Sequence, residues 1–250
     1  MAPSRPVLEI AVQDPAGFHV AADAGAARVE LCTALSATGG ITPSAGLVSA
    51  MVAARDHARS RGRHAPEVHV LVRPRPGSFV YDAAELDVQV RDVRAVLAAG
   101  ADGVVVGTLT EDGTVDVVAL RVLVAAAAGR EVTFHRAIDA LDDPFAALDV
   151  LAGAGVTRVL SSGGATRSID GVRQLAAMVA HTAGAVQVMA GGGVRPPDIG
   201  SLVAAGVDAV HLSASRAVAG DGGPGGGGDS GHTVTDPDVV AQAVAALARA

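Results

Sequence analysis

The amino-acid sequence predicts an α/β fold, a (β/α)8 TIM barrel that forms a single domain over residues 1–250. Eight short apolar runs, rich in β-branched residues, alternate with longer segments of helical pattern. A strand of a parallel sheet is buried on both faces and is therefore apolar along nearly its whole length. Eight such strands, joined by helical crossovers in a chain of this length, are typical of the barrel.

Each apolar run predicts one strand, and we expect eight strands and no ninth. In chain order the predicted strands are Val7–Val12, Arg28–Cys32, Val68–Arg73, Gly103–Gly107, Glu131–Arg136, Arg158–Ser162, Val186–Ala190 and Ala209–Ser213. An open, doubly wound sheet is the alternative. The turn after the first run, Val12-Gln13-Asp14-Pro15, lacks the GxGxxG of a dinucleotide-binding domain, and this counts against the alternative.

The segments between the strands carry signals for the start and the end of helices. Proline in the first helical turn costs no hydrogen bond, and glycine after the last turn supplies a left-handed cap. The predicted starts are Asp14-Pro15, Thr42-Pro43, Asp143-Pro144 and Arg195-Pro196. The predicted ends are Gly25, Gly100, Gly129, Gly155 and Gly206. The last helix is predicted at Asp236–Arg249.

One segment interrupts this pattern. Residues 217–233 are rich in glycine and predict a flexible loop between the eighth strand and the last helix. The loop is either a solvated linker or a lid over the barrel mouth, since long barrel loops are often functional.

The composition excludes several classes of protein. All 19 basic residues are arginine, which excludes a Schiff-base mechanism and a Walker P-loop, because both need lysine. Cys32 is the single cysteine, which excludes an intrachain disulfide and a thiolate-held iron–sulfur cluster. A net charge of −7 and few aromatic residues argue against a nucleic-acid partner. With no membrane-spanning run and no signal peptide in the sequence, we expect a cytoplasmic protein without a membrane partner.

Charged residues stand within or directly after the apolar strands, where burial is costly unless they are paired or functional. Active sites of such barrels lie at the carboxyl ends of the strands, so we expect a catalytic cluster there. Its candidate members are Glu9, Glu30, Arg73, His135, Arg136 and Asp139. A structural ion-pair network that plugs the barrel is the alternative. Arg28, at the start of its strand, is expected outside or at the bottom of the barrel, and His69 in the core.

Three loops at the same end of the barrel are candidates for an anion site. They follow strands six, seven and eight, and barrel phosphate sites are commonly built from the last of these loops. Backbone N–H groups bind the anion there, and glycine allows close approach. The candidate residues are Ser161, Ser162, Gly163, Gly191, Gly192, Gly193 and Ser213. Ordinary turns are the alternative explanation for the glycines.

A metal site is a further hypothesis. Glu9, Glu30, His135 and His211 together suit a divalent ion such as Mn, Zn or Fe. Copper(I) prefers thiolate and thioether ligands, and Cys32 and His211 are the candidate ligands for copper. The alternative role for Cys32 is that of a small buried apolar residue.

Eight motifs together resemble the CutC copper-homeostasis family, and they cover nearly the whole chain. They are LEI (Leu8–Ile10), RVELC (Arg28–Cys32), GGITPS (Gly39–Ser44), VRPRPGSFVY (Val72–Tyr81), TFHRAID (Thr133–Asp139), RVLSSGG (Arg158–Gly164), MAGGGVR (Met189–Arg195) and VHLSA (Val210–Ala214). The resemblance implies a cytoplasmic barrel, often a homo-oligomer, that is associated with copper tolerance and proposed to bind copper. It implies no agreed reaction.

The sequence departs from the family in one place that bears on copper. Members of the family often carry one or two cysteines after LEI, where this chain has Ala11 and Val12. A two-thiolate copper(I) site therefore cannot form within one chain. Three functions stay open: copper homeostasis, acid–base or metal-assisted catalysis on a small anionic or phosphorylated substrate, and an oligomeric scaffold.

Overall fold

The structure, a computed structural model, describes residues 6–219 and 231–250. Eight parallel strands close into a barrel in sequence order, because the eighth strand pairs with the first. The strands are β1 (Val7–Val12), β2 (Arg28–Leu31), β3 (Glu67–Leu71), β4 (Gly103–Val106), β5 (Glu131–Phe134), β6 (Arg158–Ser161), β7 (Gln187–Gly191) and β8 (Ala209–Leu212). The predicted (β/α)8 barrel is confirmed.

Helices follow the strands and surround the barrel. They are α1 (Pro15–Ala24), α2 (Leu35–Thr38), α3 (Ala45–Ser60), α4 (Ala83–Ala98), α5 (Val117–Ala126), α6 (Pro144–Ala154), α7 (Val172–Thr182), α8 (Ile199–Ala204) and α9 (Pro237–Arg249). Two 3-10 turns, Arg136–Ala140 and Pro196–Asp198, precede α6 and α8.

The helix ends follow the sequence signals with two exceptions. Asp14, Asp143 and Asp236 cap α1, α6 and α9, each with proline in the first turn. Thr42-Pro43 is not a helix start, since α3 begins two residues after Pro43 with Ser44 as its cap. Arg195 precedes a 3-10 turn before α8 begins.

Side chains alternate across the barrel wall, and the alternation separates two environments. Residues such as Ile10, Val29 and Val70 face outward and share one apolar cluster with helix residues such as Phe18 and Met51. The inward-facing positions carry most of the buried charges. The main apolar core therefore lies between sheet and helices, while the barrel interior combines the charges with two small apolar clusters.

A hairpin that the sequence did not predict follows the barrel. Strands β9 (Ser215–Val218) and β10 (His232–Thr235) pair antiparallel, so the expectation of no ninth strand was wrong. The hairpin includes both ends of the segment 217–233, whose middle, residues 220–230, lies outside the described residues. Gln13 Nε2 donates to Thr233 Oγ1 at 3.2 Å, which ties β10 to the loop after β1. The hairpin thus lies at the mouth of the barrel.

Candidate functional site

A carboxylate at the centre of the barrel is held by an arginine and a histidine. Glu9 is fully buried, and its Oε2 contacts Nε of Arg28 on the neighbouring strand. Its Oε1 lies 2.7 Å from His211 Nδ1 on the other neighbouring strand. Burial alone would raise the pKa of Glu9, but the charge of Arg28, the hydrogen bond from His211 and its charge outweigh burial and hold that pKa well below its usual range. Glu9 is therefore ionised.

The same network gives His211 and Glu30 unusual protonation. Burial would lower the pKa of His211, but the hydrogen bond to Glu9 and the charges of Glu30 and Glu9 raise it above its usual value. His211 Nε2 lies 3.7 Å from Glu30 Oε2. Burial, with the charge of Glu9, raises the pKa of Glu30 to about 7, although His211 and Arg28 act against the shift. Glu30 can therefore exchange a proton near neutral pH.

Arg28 lies inside the barrel, so the outer position was wrong, but it lies toward the end where the strands begin, since its Nη1 is 3.9 Å from Glu67 Oε2. It is two residues from Glu30 on one strand, so both side chains face the same side of the wall. Arg28 Nη2 reaches across to Met189 Sδ at 3.6 Å, and the side chain is 3% exposed. Period-two alternation was the signal that could have placed it correctly.

A cavity of about 350 Å³ opens at the carboxyl ends of the strands. Eight of the predicted catalytic, anion and metal residues border it: Glu30, Arg73, His135, Arg136, Gly192, Gly193, His211 and Ser213. The described residues that border it do not include the other predicted members, which are Glu9, Asp139, Cys32, Ser161, Ser162, Gly163 and Gly191. Phe79 and two hairpin residues, Ser215 and Thr233, border the cavity and were missed.

His135 forms part of the cavity wall as a neutral imidazole. Its Nδ1 accepts a hydrogen bond from the backbone N–H of Ala137 at 3.2 Å. Its Nε2 is buried and has no hydrogen-bond partner among the described residues. Burial, followed by the charge of Arg73, lowers the pKa of His135 to about 3. The expected position at the mouth is therefore found, with an imidazole that stays uncharged.

Arg73 borders the cavity, but most of the hydrogen bonds that its guanidinium donates go to the surrounding loops. Its Nη1 donates to the carbonyls of Thr38 (2.8 Å) and Gly40 (3.0 Å), and its Nη2 donates to Gly77 (2.9 Å). The guanidinium lies 5.0 Å from the centre of the Phe79 ring. Arg73 thus fixes the loops after β2 and β3.

The loop after β6 already binds a carboxylate, that of Asp139. Asp139 Oδ1 lies 2.6 Å from Ser161 Oγ, and Oδ2 accepts from the backbone N–H of Ser162 at 3.0 Å. The N–H of Gly164 also points to Oδ1, at 3.3 Å. The donors predicted for an external anion in this loop are therefore occupied by the chain itself. Asp139 reaches the loop from the 3-10 turn after β5 and does not border the cavity.

Asp139 also holds Arg136 in place over the cavity. Arg136 Nε donates to Asp139 Oδ2 at 2.8 Å, and Nη2 donates to Ser162 Oγ at 3.0 Å. Gly192 gives the guanidinium room, because a Cβ atom at Gly192 would lie 2.9 Å from Arg136 Cζ. The side chain is 43% exposed, and none of the described residues accepts a hydrogen bond from Nη1. Arg136 is a pre-positioned cation for an anionic ligand.

Cys32 is enclosed by apolar side chains. It is fully buried in a small cluster with Leu71 and Val105. Its Sγ lies 3.9 Å from the carbonyl of Val12. Burial, with the charge of Glu30, raises the pKa of the Cys32 thiol well above its usual value. A thiol in this environment resists the deprotonation that metal binding requires.

A second group of acidic and histidine side chains lies at the other end of the barrel. His69 Nε2 is 3.8 Å from Glu67 Oε2 and 3.8 Å from Glu131 Oε2, and His69 is buried as expected. Arg158 Nη2 donates to Glu131 Oε2 at 3.0 Å. Sequence reasoning missed Glu67, Glu131 and Arg158. The three possible ligands lie within 4.8 Å of one another, but a guanidinium already neutralises one of the carboxylates.

The fold and the site define a class, the TIM-barrel proteins with ionisable residues gathered at the carboxyl ends of the strands. Within that class the comparisons identify the family. The model of the CutC family matches residues 6–216. The chain therefore belongs to the CutC family.

Relatives from several bacteria support the assignment. The family protein CutC of Sinorhizobium medicae is 42% identical over 80% of this chain and 77% of the relative. That of Chromobacterium violaceum is 42% identical over 85% of this chain and 83% of the relative. The crystal structure of the CutC protein of Streptococcus agalactiae, whose name links it to copper homeostasis, has a TM-score of 0.76 and 28% identity. It covers 83% of this chain and 98% of that chain.

An aldolase structure shares the fold alone. Its TM-score is 0.61 at 16% identity, over 85% of this chain and 92% of that chain.

In the described part of this chain, none of the helices has both the length and the hydropathy needed to span a bilayer.

Proposed function

We propose that this CutC-family barrel is an enzyme that performs acid–base chemistry on a small anionic substrate. One observation carries the proposal: Glu30 and His211 lie 3.7 Å apart, both border the cavity, and His211 also contacts the buried Glu9. Groups whose environments push their pKa values apart are typical of acid–base pairs in active sites.

The roles of the two groups follow from their protonation. Glu30, with a pKa of about 7, is the base in its ionised form and returns the proton as the acid. The hydrogen bond to Glu9 and the charges of both glutamates raise the pKa of His211 and so favour its protonated form; Nδ1 then donates to Glu9, and Nε2 lies toward Glu30. Glu9 orients His211 and keeps it charged.

The anionic part of the substrate is assigned to Arg136 and the loops after β7 and β8. Arg136 carries a guanidinium N–H group that no described residue accepts, and Gly192, Gly193 and Ser213 lie at the same cavity. Arginine suits carboxylate and phosphate groups because its planar fork donates two parallel hydrogen bonds. Asp139 holds the guanidinium rigid, which lowers the entropy lost on binding.

Inorganic phosphate tests this subsite. We expect isothermal titration calorimetry to show phosphate binding that weakens at least about tenfold in Arg136→Met, since a charge-assisted contact is worth roughly 1.5–3 kcal/mol. Arg91→Met is the matched control, because Arg91 lies on α4 and pairs with Asp87 at the surface. Equal phosphate affinity in wild type and Arg136→Met, or no binding by the wild type at millimolar phosphate, would refute the anion subsite.

The family name supports copper homeostasis as a second candidate function. The donor set does not suit copper(I): the Cys32 thiol is buried away from the cavity, and Met189 Sδ already accepts from Arg28. We therefore infer a role in copper homeostasis that does not require copper to be bound by a thiolate within one chain. An anaerobic copper(I) titration tests this; one equivalent of tight binding that is lost in Cys32→Ser would overturn it.

Two further parts of the proposal concern the whole protein. We expect a homo-oligomer in the cytoplasm, as the family resemblance implies. Light scattering after gel filtration measures the mass, and a monomer of 24.6 kDa would contradict the oligomer. Cell fractionation tests the location.

A further inference from the structure

We propose that the substrate of this cavity is a polyhydroxylated molecule with an anionic end, and that the hydroxyl groups of Ser215 and Thr233 bind its hydroxyl groups. The inference rests on the proposed function and names the substrate class of the same cavity. Its structural basis is that both residues border the cavity and lie on the β9–β10 hairpin at its mouth.

The hydrogen bonds of Gln13 decide the role of the Thr233 hydroxyl group. The backbone N–H of Leu35 donates to Gln13 Oε1 at 2.8 Å, so the amide nitrogen of Gln13 is the atom that lies 3.2 Å from Thr233 Oγ1. An amide NH₂ group only donates, so Thr233 Oγ1 is the acceptor and its own hydrogen is left over. None of the described residues accepts that hydrogen. Thr233 therefore has a donor available for a ligand.

A pair of serine hydroxyl groups lies at the same cavity. Ser213 Oγ is 3.3 Å from Ser215 Oγ in an exposed contact, and either group can donate to the other. Two hydroxyl groups that share one hydrogen bond keep one hydrogen and several lone pairs for other partners. A hydroxyl group of a ligand is also both donor and acceptor, so it can take either role at Ser215.

The hairpin holds its hydroxyl groups on one face before a ligand binds. Ser215 is directly opposite Thr235, and Thr233 is two residues from Thr235, so the three side chains lie on the same side of the hairpin. That side packs on the barrel, because a Cβ atom at Gly17 in α1 would lie 2.5 Å from Thr235 Oγ1. Groups that are fixed in advance lose less entropy on binding.

The strand order sets the length of the ligand. Arg136 lies at Gly192, in the loop after β7, and Thr233 contacts Gln13, in the loop after β1. Strands β7, β8 and β1 are consecutive neighbours, so two strand spacings, about 10 Å, separate the loops. Because a C–C bond is about 1.5 Å long, a chain of roughly four to six carbon atoms joins an anionic group at Arg136 to a hydroxyl group at Thr233.

The apolar part of the cavity wall accommodates the carbon chain. Leu35, Leu71 and Phe79 border the cavity and offer C–H and aromatic surface. An alkyl chain with an anionic end would use this wall equally well, but it would leave the hydroxyl groups of Ser215 and Thr233 without ligand partners. The two kinds of ligand are therefore distinguished by what the hydroxyl groups contribute to affinity.

Sorbitol 6-phosphate and hexyl phosphate are the probes, because each has six carbon atoms and one phosphate group and only the first has hydroxyl groups. A pair of neutral hydrogen bonds is worth about a factor of ten in affinity, so we expect isothermal titration calorimetry to show tighter binding of sorbitol 6-phosphate by about that factor. The double variant Ser215→Ala/Thr233→Val should lose this preference and keep the wild-type affinity for inorganic phosphate. Thr233→Ser, which keeps the hydroxyl group, should retain the preference. Gluconate and hexanoate repeat the comparison for a carboxylate end.

Thr110→Val is the matched control, because the Thr110 hydroxyl group pairs with that of Thr114 at 2.9 Å and Thr110 is not among the described residues that border the cavity. Its preference for the hydroxylated probe should equal that of wild type.

The outcomes separate this inference from the proposed function. Equal affinity of wild type for both members of each pair overturns the substrate class, and so does a preference that survives in the double variant. In either case, phosphate binding that depends on Arg136 still supports the anion subsite. If wild type binds neither inorganic phosphate nor any of the four probes, the anion subsite and this inference both fail. If the double variant does not fold, as circular dichroism would show, Ser215→Ala alone decides, since Ser215 is exposed.

Discussion

Replacing Arg28 by methionine removes the cation beside the most deeply buried carboxylate of the barrel. Arg28 Nε contacts Glu9 Oε2, and Nη2 touches Met189, so methionine keeps much of the apolar contact and none of the charge. Breaking a buried ion pair by removing one partner costs about 3–5 kcal/mol. We expect Arg28→Met to lower the free energy of unfolding at pH 7 by that amount.

The pH dependence of this loss follows from the direction of the pKa shift of Glu9. Its pKa in the folded state lies below 4.5, the value for the unfolded chain, so the pair contributes stability that is complete above pH 4.5. That stability is lost as the pH falls further, by up to about 1.4 kcal/mol per pH unit. The difference between wild type and Arg28→Met should shrink over the same range.

Urea unfolding followed by circular dichroism at pH 7 and at acid pH measures both quantities. Arg91→Met is the control, and its stability should equal that of wild type because the exposed Arg91–Asp87 pair on α4 is screened by solvent. A loss below about 1 kcal/mol at pH 7, or a loss that is the same on both sides of pH 4.5, would refute the assignment of Arg28 as the partner that keeps Glu9 ionised.

Three other substitutions test the site and the loops. The raised pKa of Glu30 means that its protonated form is favoured on folding, with stability present below pH 4.5 and lost up to about pH 7. Glu30→Gln should therefore be more stable relative to wild type at pH 8 than at pH 4.5, by roughly 1–3 kcal/mol, as measured by urea unfolding at the two pH values. A difference between variant and wild type that is the same at both pH values would contradict the raised pKa. Asp139→Asn should destabilise the fold by about 1–3 kcal/mol and weaken phosphate binding, because charged hydrogen bonds to Ser162 and Arg136 are lost; an unchanged melting temperature and phosphate affinity would count against it. Cys32 should react with a thiol reagent such as Ellman's reagent only in urea, because burial raises its pKa and excludes the reagent; rapid reaction of the folded protein would show that the thiol is accessible.

The barrel was predictable because its evidence is local. All eight barrel strands begin within one residue of the predicted position, and Val7–Val12 is the predicted strand in full, since β-branched runs mark buried strands. Strand ends were less predictable. His135 was placed within strand five, but it is the cap of the 3-10 turn that follows, where its Nδ1 accepts from Ala137.

The candidate site was predicted in its members more than in its contacts. Glu30, His135 and His211 lie at the carboxyl ends of three strands and border one cavity, as expected. The pairing of Asp139 with the loop after β6 could not be predicted, because nothing in the spacing says which carboxylate a loop will bind. The hairpin was missed because Ser215–Val218 and His232–Thr235 are short and largely polar.

The coupled protonation of Glu30 has a consequence for how this barrel takes up ligands. An anion placed beside Glu30 would raise its pKa further, so near pH 7 a fraction of a proton enters the protein with each ligand bound. The measured heat of binding would then include the ionisation heat of the buffer. Affinity would fall as the solution becomes alkaline even for a ligand whose own charge is constant. The amount of ligand bound to the barrel would thus depend on the pH of the solution around the protein.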